Sequence, residues 1–180
     1  MRLRRLRTDE LSSTESRAIR TMLEAAFGPD EEERLRDDDW EHGLGGVHFV
    51  LDIDGEIVSH GSVVERRLHV AERPLRTGYV EGVGTEPAHQ GRGYGSQVMT
   101  AIAAHIRDRF ELGALGTGRM SFYERLGWLR WIGPTFVKAA EGMRPTPGED
   151  GYILVLPTPN GPAIDRSVAL SCDWRPGDVW

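Results

Sequence analysis

The stretch Gln90-Gly91-Arg92-Gly93-Tyr94-Gly95 constrains this chain more than any other. It follows a strand-like run, Tyr79-Val80-Glu81-Gly82-Val83, and a short polar turn. It precedes a helical run from near Tyr94 to near Phe110. Strand, glycine-rich turn and helix together present bare backbone N–H groups. Glycines let the main chain approach a ligand closely, and the first helical turn adds unpaired donors and the positive end of the helix dipole. The expected ligand is a phosphate or pyrophosphate. A tight glycine turn with no ligand is the competing reading.

Several phosphate-binding patterns compete for that turn. A P-loop needs Gly-Lys followed by Ser or Thr, and the chain has no Gly-Lys pair. A dinucleotide fingerprint would read Gly91, Gly93 and then Gly or Ala at 96, where Ser96 stands. Read as Gln-x-x-Gly-x-Gly, residues 90–95 resemble the acyl-CoA pyrophosphate loop of the GCN5-related N-acetyltransferases, the GNAT superfamily. The resemblance implies acetyl-CoA as the acetyl donor, with Gln90, Gly91, Arg92, Gly93, Tyr94, Gly95 and Ser96 as its phosphate cradle. Arg92 either meets a phosphate or is solvated.

At 180 residues the chain is expected to be one domain, 1–180, with room for a real core. A net charge of −6 argues against general nucleic-acid binding. No long apolar run predicts a membrane span, and the basic N-terminal stretch lacks the apolar segment of a signal peptide, so a cytoplasmic protein is expected. Cys172 is the lone cysteine, and the six histidines have no metal-binding spacing. No metal is expected. The charge is concentrated: residues 30–41 carry eight acids and two arginines. Such a run is either a solvated face or the wall of a pocket for a polycation.

Alternation of apolar and basic residues predicts a first strand over Leu3–Thr8. Ser12 and Glu15 form a possible capping box for a helix whose apolar face is Ala18, Ile19, Met22, Leu23, Ala26 and Phe27, ended by Gly28. Val47–Ile53, Asp54-Gly55 and Glu56–Val70 read as a hairpin. A further strand covers Leu75–Val83. After the loop helix come a strand over Leu112–Leu115, a short helix over Arg119–Leu126, a strand over Trp128–Lys138, a loop over Ala139–Gly151 and a strand over Tyr152–Leu156. Residues 157–180 show little periodicity. This order predicts an α/β fold with helices on a mixed, mostly antiparallel central sheet. It matches the GNAT fold, whose splayed parallel strands hold the acyl-CoA; here these would be Leu75–Val83 and Leu112–Leu115.

Acetyl transfer from a thioester to an amine needs a neutral amine, a stabilised carbonyl oxygen and a protonated leaving thiolate. Tyr123 lies in Phe122-Tyr123-Glu124-Arg125-Leu126-Gly127-Trp128, which resembles the GNAT segment whose tyrosine sits near the CoA sulfur. It is the candidate acid; a buried aromatic on a short helix is the other reading. Glu81 lies inside an apolar strand just before the loop. It is either the base, acting directly or through a water, or an outward-facing strand residue. Backbone groups of Val83, Gly84 and Thr85 are expected to bond the pantetheine arm as a strand edge does.

A closer resemblance covers nearly the whole length. Asp39-Trp40-Glu41-His42, Gly78–Val83, Leu112–Leu115, Gly133-Pro134-Thr135, Cys172–Arg175 and Gly177–Trp180 are similar to segments of the aminoglycoside 2′-N-acetyltransferases. What the resemblance implies is a polyamino-sugar substrate, acetylated at its 2′-amine. Asp30, Asp39, Glu81, Glu149, Asp178 and the carboxylate of Trp180 would hold its ammonium groups. Gly82 would offer a carbonyl, Gly116 would line the junction with the coenzyme, and the protein would be a homodimer. Two departures stand out: the acidic stretch before Asp39 is longer than the pattern, and the segment between Leu115 and Tyr123 is shorter. Two alternatives stay open: the same fold acting on an endogenous amino sugar or polyamine, and a CoA- or drug-binding protein without turnover.

Overall fold

The computed structural model describes residues 1–29 and 34–180. Asp30, expected among the substrate contacts, lies outside the described residues, as do Glu31, Glu32 and Glu33. The chain forms two compact units: Met1–Val64 with Val80–Ile102, and Glu65–Tyr79 with Ala103–Trp180.

The first unit contains β1 (Arg2–Arg7), α1 (Ser13–Phe27), α2 (Asp37–His42), β2 (Val47–Ile53), the first part of β3 (Glu56–Val70), the second part of β4 (Arg73–Thr85) and the start of α3 (Tyr94–Arg109). β1 pairs antiparallel with β2, and β2 with β3. The capping box at α1 forms as the sequence predicts: the Glu15 N–H donates to Ser12 Oγ at 3.2 Å and the Ser12 N–H to Glu15 Oε2 at 3.0 Å. Gly28 ends the helix at φ +85°, where a side chain would be strained. The apolar stripe of α1 buries Ile19, Met22 and Leu23 with Val50. On β3, a Cβ at Gly61 would lie 2.8 Å from Ile102 and 3.4 Å from Val98, so this glycine admits α3. The acidic run resolves in part into α2, whose first turn holds Asp37, Asp38 and Asp39 at the positive end of its dipole.

In the second unit the strand order is β6 (Leu129–Arg130), β9 (Ile153–Pro157), β5 (Leu112–Gly116), β4, β3, β10 (Leu170–Asp173), β7 (Thr135–Ala139) and β8 (Gly142–Pro145). β5 (Leu112–Gly116) lies parallel to β4 over Thr77↔Leu112, Gly78↔Gly113 and Tyr79↔Ala114, and antiparallel to β9 (Ile153–Pro157). Ile106 packs over Gly78 and Gly113, where a Cβ would lie 3.0 Å from it, and Phe110 packs over Gly78, where a Cβ would lie 2.8 Å from it. The short helix α4 spans Met120–Glu124.

Three expectations are corrected here. Trp128–Lys138 is not one strand: β6 (Leu129–Arg130) pairs with β9, and β7 (Thr135–Ala139) pairs with a different neighbour. Between them the Ile132 and Gly133 N–H groups turn to the Arg166 carbonyl at 3.1 and 2.8 Å, and Pro134 has no N–H to continue a ladder. The expected loop over Ala139–Gly151 contains β8 (Gly142–Pro145), which closes a hairpin with β7, and a 3-10 turn over Pro147–Glu149. The expected tail supplies β10 (Leu170–Asp173), antiparallel to β3 and parallel to β7. Leu170 and Cys172 are fully buried there.

Candidate active site

The glycine loop belongs to the first unit. β4 ends at Thr85, a 3-10 turn covers Pro87–His89, and α3 begins at Tyr94. Gln90 Nε2 donates to the Thr85 carbonyl at 3.1 Å, tying the loop back to the strand that precedes it. Gly91 and Gly93 stand at φ +73° and +80°. A Cβ on either would meet nothing within 4 Å, so open space lies above the bare main chain. Gln97 N donates to Gly93 O at 3.1 Å, so the amides before it form the donor-rich first turn of a helix. Tyr94, Gly95 and Ser96 in that turn are half-buried, whereas Gln90, Gly91, Arg92 and Gly93 are exposed. This is the geometry of an anion cradle.

Upstream, the end of β4 is held tightly. The Thr85 and Ser59 hydroxyls lie 2.9 Å apart, and Ser59 Oγ donates to the Gly84 carbonyl at 2.9 Å. A Cβ at Gly84 would come 2.6 Å from Leu23 Cδ2, so any side chain there would displace Leu23. Gly82 stands at φ +56°, a left-handed kink inside a strand. Its carbonyl accepts from His60 Nδ1 at 2.7 Å. Glu81, just before the kink, is half-buried, and its carbonyl accepts from Ser62 Oγ at 3.2 Å. Asp39 is also half-buried, and its Oδ2 accepts the Arg36 N–H at 2.8 Å as the cap of α2.

A shallow groove on this unit is bounded by Arg4, Glu15, Met22, Asp54 and Glu86. Its one cation is engaged by carboxylates. Arg4 bonds Glu15 at 2.5 Å and Asp52 at 2.9 Å, and this holds the Glu15 carboxyl down to about 2.

In the second unit Tyr123 is 8 % exposed, edge-on to Phe122 at 4.8 Å and to Trp128 at 6.4 Å. Burial pushes its phenol up to about 12, so it stays protonated across the neutral range. Gly116, Glu149, Asp178 and Trp180 form one neighbourhood. A Cβ at Gly116 would lie 3.5 Å from the Tyr79 hydroxyl and 3.8 Å from the Trp180 main chain. Glu149 is half-buried, and its carboxyl is raised by burial and then by the negative charge of Asp178. A carboxyl raised in this way by a neighbouring negative charge would be relieved by a cation beside it.

The sequence did not reveal what holds this neighbourhood. Trp180 is 4 % exposed, and its indole N–H donates to Thr146 Oγ1 at 3.0 Å. Its backbone N–H donates to Asp178 Oδ1 at 3.0 Å. Arg175 donates to the Asp178 and Trp180 main-chain oxygens at 2.7 and 2.9 Å, and Arg66 to the Val179 carbonyl at 2.7 Å. The Arg66 and Arg175 guanidinium carbons lie 4.6 and 5.6 Å from the Tyr79 ring centroid, a cation–π arrangement that aims their N–H groups at the tail. Cys172, raised to about 11 by burial, is a thiol that donates to the Val179 carbonyl at 3.3 Å and not a nucleophile. Among the described residues no cluster of His, Cys, Asp and Glu is placed to hold a metal ion. No helix among them is long and apolar enough to cross a membrane.

A glycine turn that links β4 to the N-terminus of α3, with β5 running parallel to β4, is the arrangement of an acyltransferase of the acetyl-CoA-using class, and comparison with known proteins gives that class. Residues 7–130 match the acetyltransferase (GNAT) domain family. A GNAT family acetyltransferase from Brucella melitensis, solved in complex with acetyl-CoA, superposes with a TM-score of 0.61 at 18 % identity, covering 94 % of each chain. A GCN5-related N-acetyltransferase from Kribbella flavida superposes with a TM-score of 0.59 at 20 % identity over 74 % of this chain. The present chain spans about a third of that protein's length (34 %). An aminoglycoside 2′-N-acetyltransferase from Mycolicibacterium fortuitum is 38 % identical over 98 % of this chain and 91 % of its own. The chain belongs to the GNAT acetyltransferases and, within them, to the aminoglycoside 2′-N-acetyltransferase family.

Proposed function

We propose that this protein transfers the acetyl group of acetyl-CoA to the 2′-amine of an aminoglycoside. The observation that carries the substrate is the near-full-length identity to an aminoglycoside 2′-N-acetyltransferase. Glu149 supports it, because a half-buried carboxyl raised by burial and by the neighbouring Asp178 charge would be stabilised by a bound ammonium group. Asp39 and Glu81, Gly82 through its carbonyl, Gly116, and Trp180 through its main-chain oxygen complete the proposed substrate contacts. Residues 1–180 act as one acetyltransferase domain, in a cytoplasmic homodimer with no nucleic-acid or membrane partner.

In this reading the coenzyme pyrophosphate lies on the Gln90–Ser96 cradle and the pantetheine runs along Val83–Thr85. Glu81, through a water, takes a proton from the substrate ammonium. The free amine attacks the thioester carbonyl carbon, the C–S bond breaks, and the new amide nitrogen gives up its second proton to solvent water. Tyr123 serves the departing sulfur. Its phenol at about 12 stands roughly 3.5 units above an ordinary thiol, so complete proton transfer would be uphill by about 5 kcal/mol. Tyr123 therefore acts mainly as a hydrogen-bond donor to the developing thiolate, which draws its final proton from solvent.

The test is release of free thiol on mixing with acetyl-CoA and aminoglycosides that carry an amine or a hydroxyl at the 2′ position. Thiol release only with the 2′-amino compounds is expected. Release with both assigns a different amine, and release with neither removes the reading.

A further inference from the structure

Two of the six histidines form a buried chain in the first unit. His48 is fully buried and His60 is 1 % exposed. Thr8 Oγ1 lies 2.8 Å from His48 Nε2, His48 Nδ1 lies 3.0 Å from His60 Nε2, and His60 Nδ1 lies 2.7 Å from the Gly82 carbonyl. A carbonyl can only accept, so His60 Nδ1 carries a proton. In a neutral ring Nε2 is then an acceptor, which forces the proton of His48 onto Nδ1. His48 Nε2 must in turn accept from the Thr8 hydroxyl. That hydroxyl accepts the Gly45 N–H at 2.9 Å, and its one proton goes to His48 at 2.8 Å rather than to the Gly46 carbonyl at 3.3 Å. Every bond points one way, from the Gly45 turn to Gly82.

The end of this chain matters. Gly82 is the left-handed kink of β4 and follows Glu81 directly. The carbonyl at that kink needs a donor. His60 is that donor. We propose that His60, its tautomer set by His48 and Thr8, is a positioning residue that holds the Glu81–Gly82 main chain in the conformation needed for proton removal from the substrate. The inference rests on the reading that Glu81 takes that proton.

Nitrogen-15 spectra of the ring nitrogens in the full chain test the geometry without turnover. Both His48 and His60 are expected as the Nδ1–H tautomer, the minor form of free imidazole, between pH 6 and 8. The Nε2–H form at His60 would overturn the proposal. Two variants test the function. His60→Asn keeps an amide N–H where Nδ1 stood, and His60→Gln keeps one where Nε2 stood. A role in mere packing would affect both alike. Positioning predicts that His60→Gln loses about 10–100-fold in kcat with the acetyl-CoA KM unchanged, while His60→Asn stays close to wild type. Equal loss in both, or no loss in His60→Gln, would overturn it. Glu81→Gln separates the two ideas. If it keeps kcat while His60→Gln loses it, Glu81 is not the base and the Gly82 geometry still matters. If it loses kcat while His60→Gln keeps it, the base stands and the positioning role falls.

Discussion

Arg175 grips Trp180 across five residues of chain: its Nη2 donates to the Trp180 main-chain oxygen at 2.9 Å while its Nε donates to the Asp178 carbonyl at 2.7 Å. The same guanidinium lies 5.6 Å from the Tyr79 ring centroid, and Arg66 lies 4.6 Å from it. A tail that ends in so many directed bonds is fixed, in contrast to the fraying expected of most terminal segments.

Loosening that grip should weaken drug binding selectively. Arg175→Ala removes two charge-assisted hydrogen bonds, each worth about 1.5–3 kcal/mol when buried. Solvent replaces part of that, so a rise of about tenfold in the aminoglycoside KM is expected. The acetyl-CoA KM should hold, because its cradle uses residues 90–96. Steady-state kinetics with each substrate varied in turn checks this. Equal rises in both KM values would mean a general loss of structure.

The cradle itself is tested at Gly93. A valine there has free space around its Cβ but must adopt φ +80°, which costs about 1–3 kcal/mol for a β-branched residue. Its methyl groups would also fill the open space above the loop amides. Gly93→Val should raise the acetyl-CoA KM roughly tenfold or more and leave drug binding near wild type. Calorimetric titration with CoA in a variant of unchanged melting temperature reads this directly, and wild-type affinity would remove the loop from the coenzyme site.

Tyr123→Phe keeps the ring against Phe122 and Trp128 and removes only the hydroxyl. Donation to a developing anion is worth about 1.5–3 kcal/mol, so kcat should fall roughly 10–100-fold with both KM values little changed. A thiol assay gives the number. Unchanged turnover would leave Tyr123 as a packing residue.

Local features were legible and non-local ones were not. The strand–glycine turn–helix order at residues 79–110 and the α1 capping box depend on residues a few positions apart, and both form as read. The Asp54-Gly55 turn was legible too: both residues adopt positive φ, +53° and +89°, as a two-residue hairpin requires. What hid was one irregularity beside it. A register shift at Leu51/Asp52 moves the pairing so that Val50 faces His60 and His48 faces Ser62. Continued without the shift, the hairpin would have set His60 opposite Phe49 and sent His48 and His60 to opposite faces. The shift makes them diagonal neighbours on one face, and so creates the buried chain. β10 was missed for a related reason: its partners β3 and β7 lie far away in sequence, and four residues carry little periodicity. The Arg66–Tyr79–Arg175 clamp depends on that pairing and was invisible with it.

The histidine pair also sets how stability depends on pH. Burial pushes His48 down to about 4 and His60 down to about 3, the latter helped by the neighbouring ring. In the unfolded chain both titrate near 6.5. Between the folded and unfolded values the unfolded state binds more protons, so unfolding free energy rises with pH there. The stabilisation is fully present above about pH 6.5 and is lost as pH falls toward 4. At pH 5 each histidine would cost about 2 kcal/mol relative to pH 7.5, and coupling between them brings the pair to roughly 2–4 kcal/mol. Urea midpoints measured from pH 7.5 to 5 should therefore drop steeply in the wild type. The double variant His48→Gln with His60→Gln removes both titrations. It should start less stable, because the bond to Gly82 is gone, but show a flatter slope. Parallel slopes in the two proteins would mean that the acid sensitivity comes from other groups and that the buried pair is not neutral in the folded state.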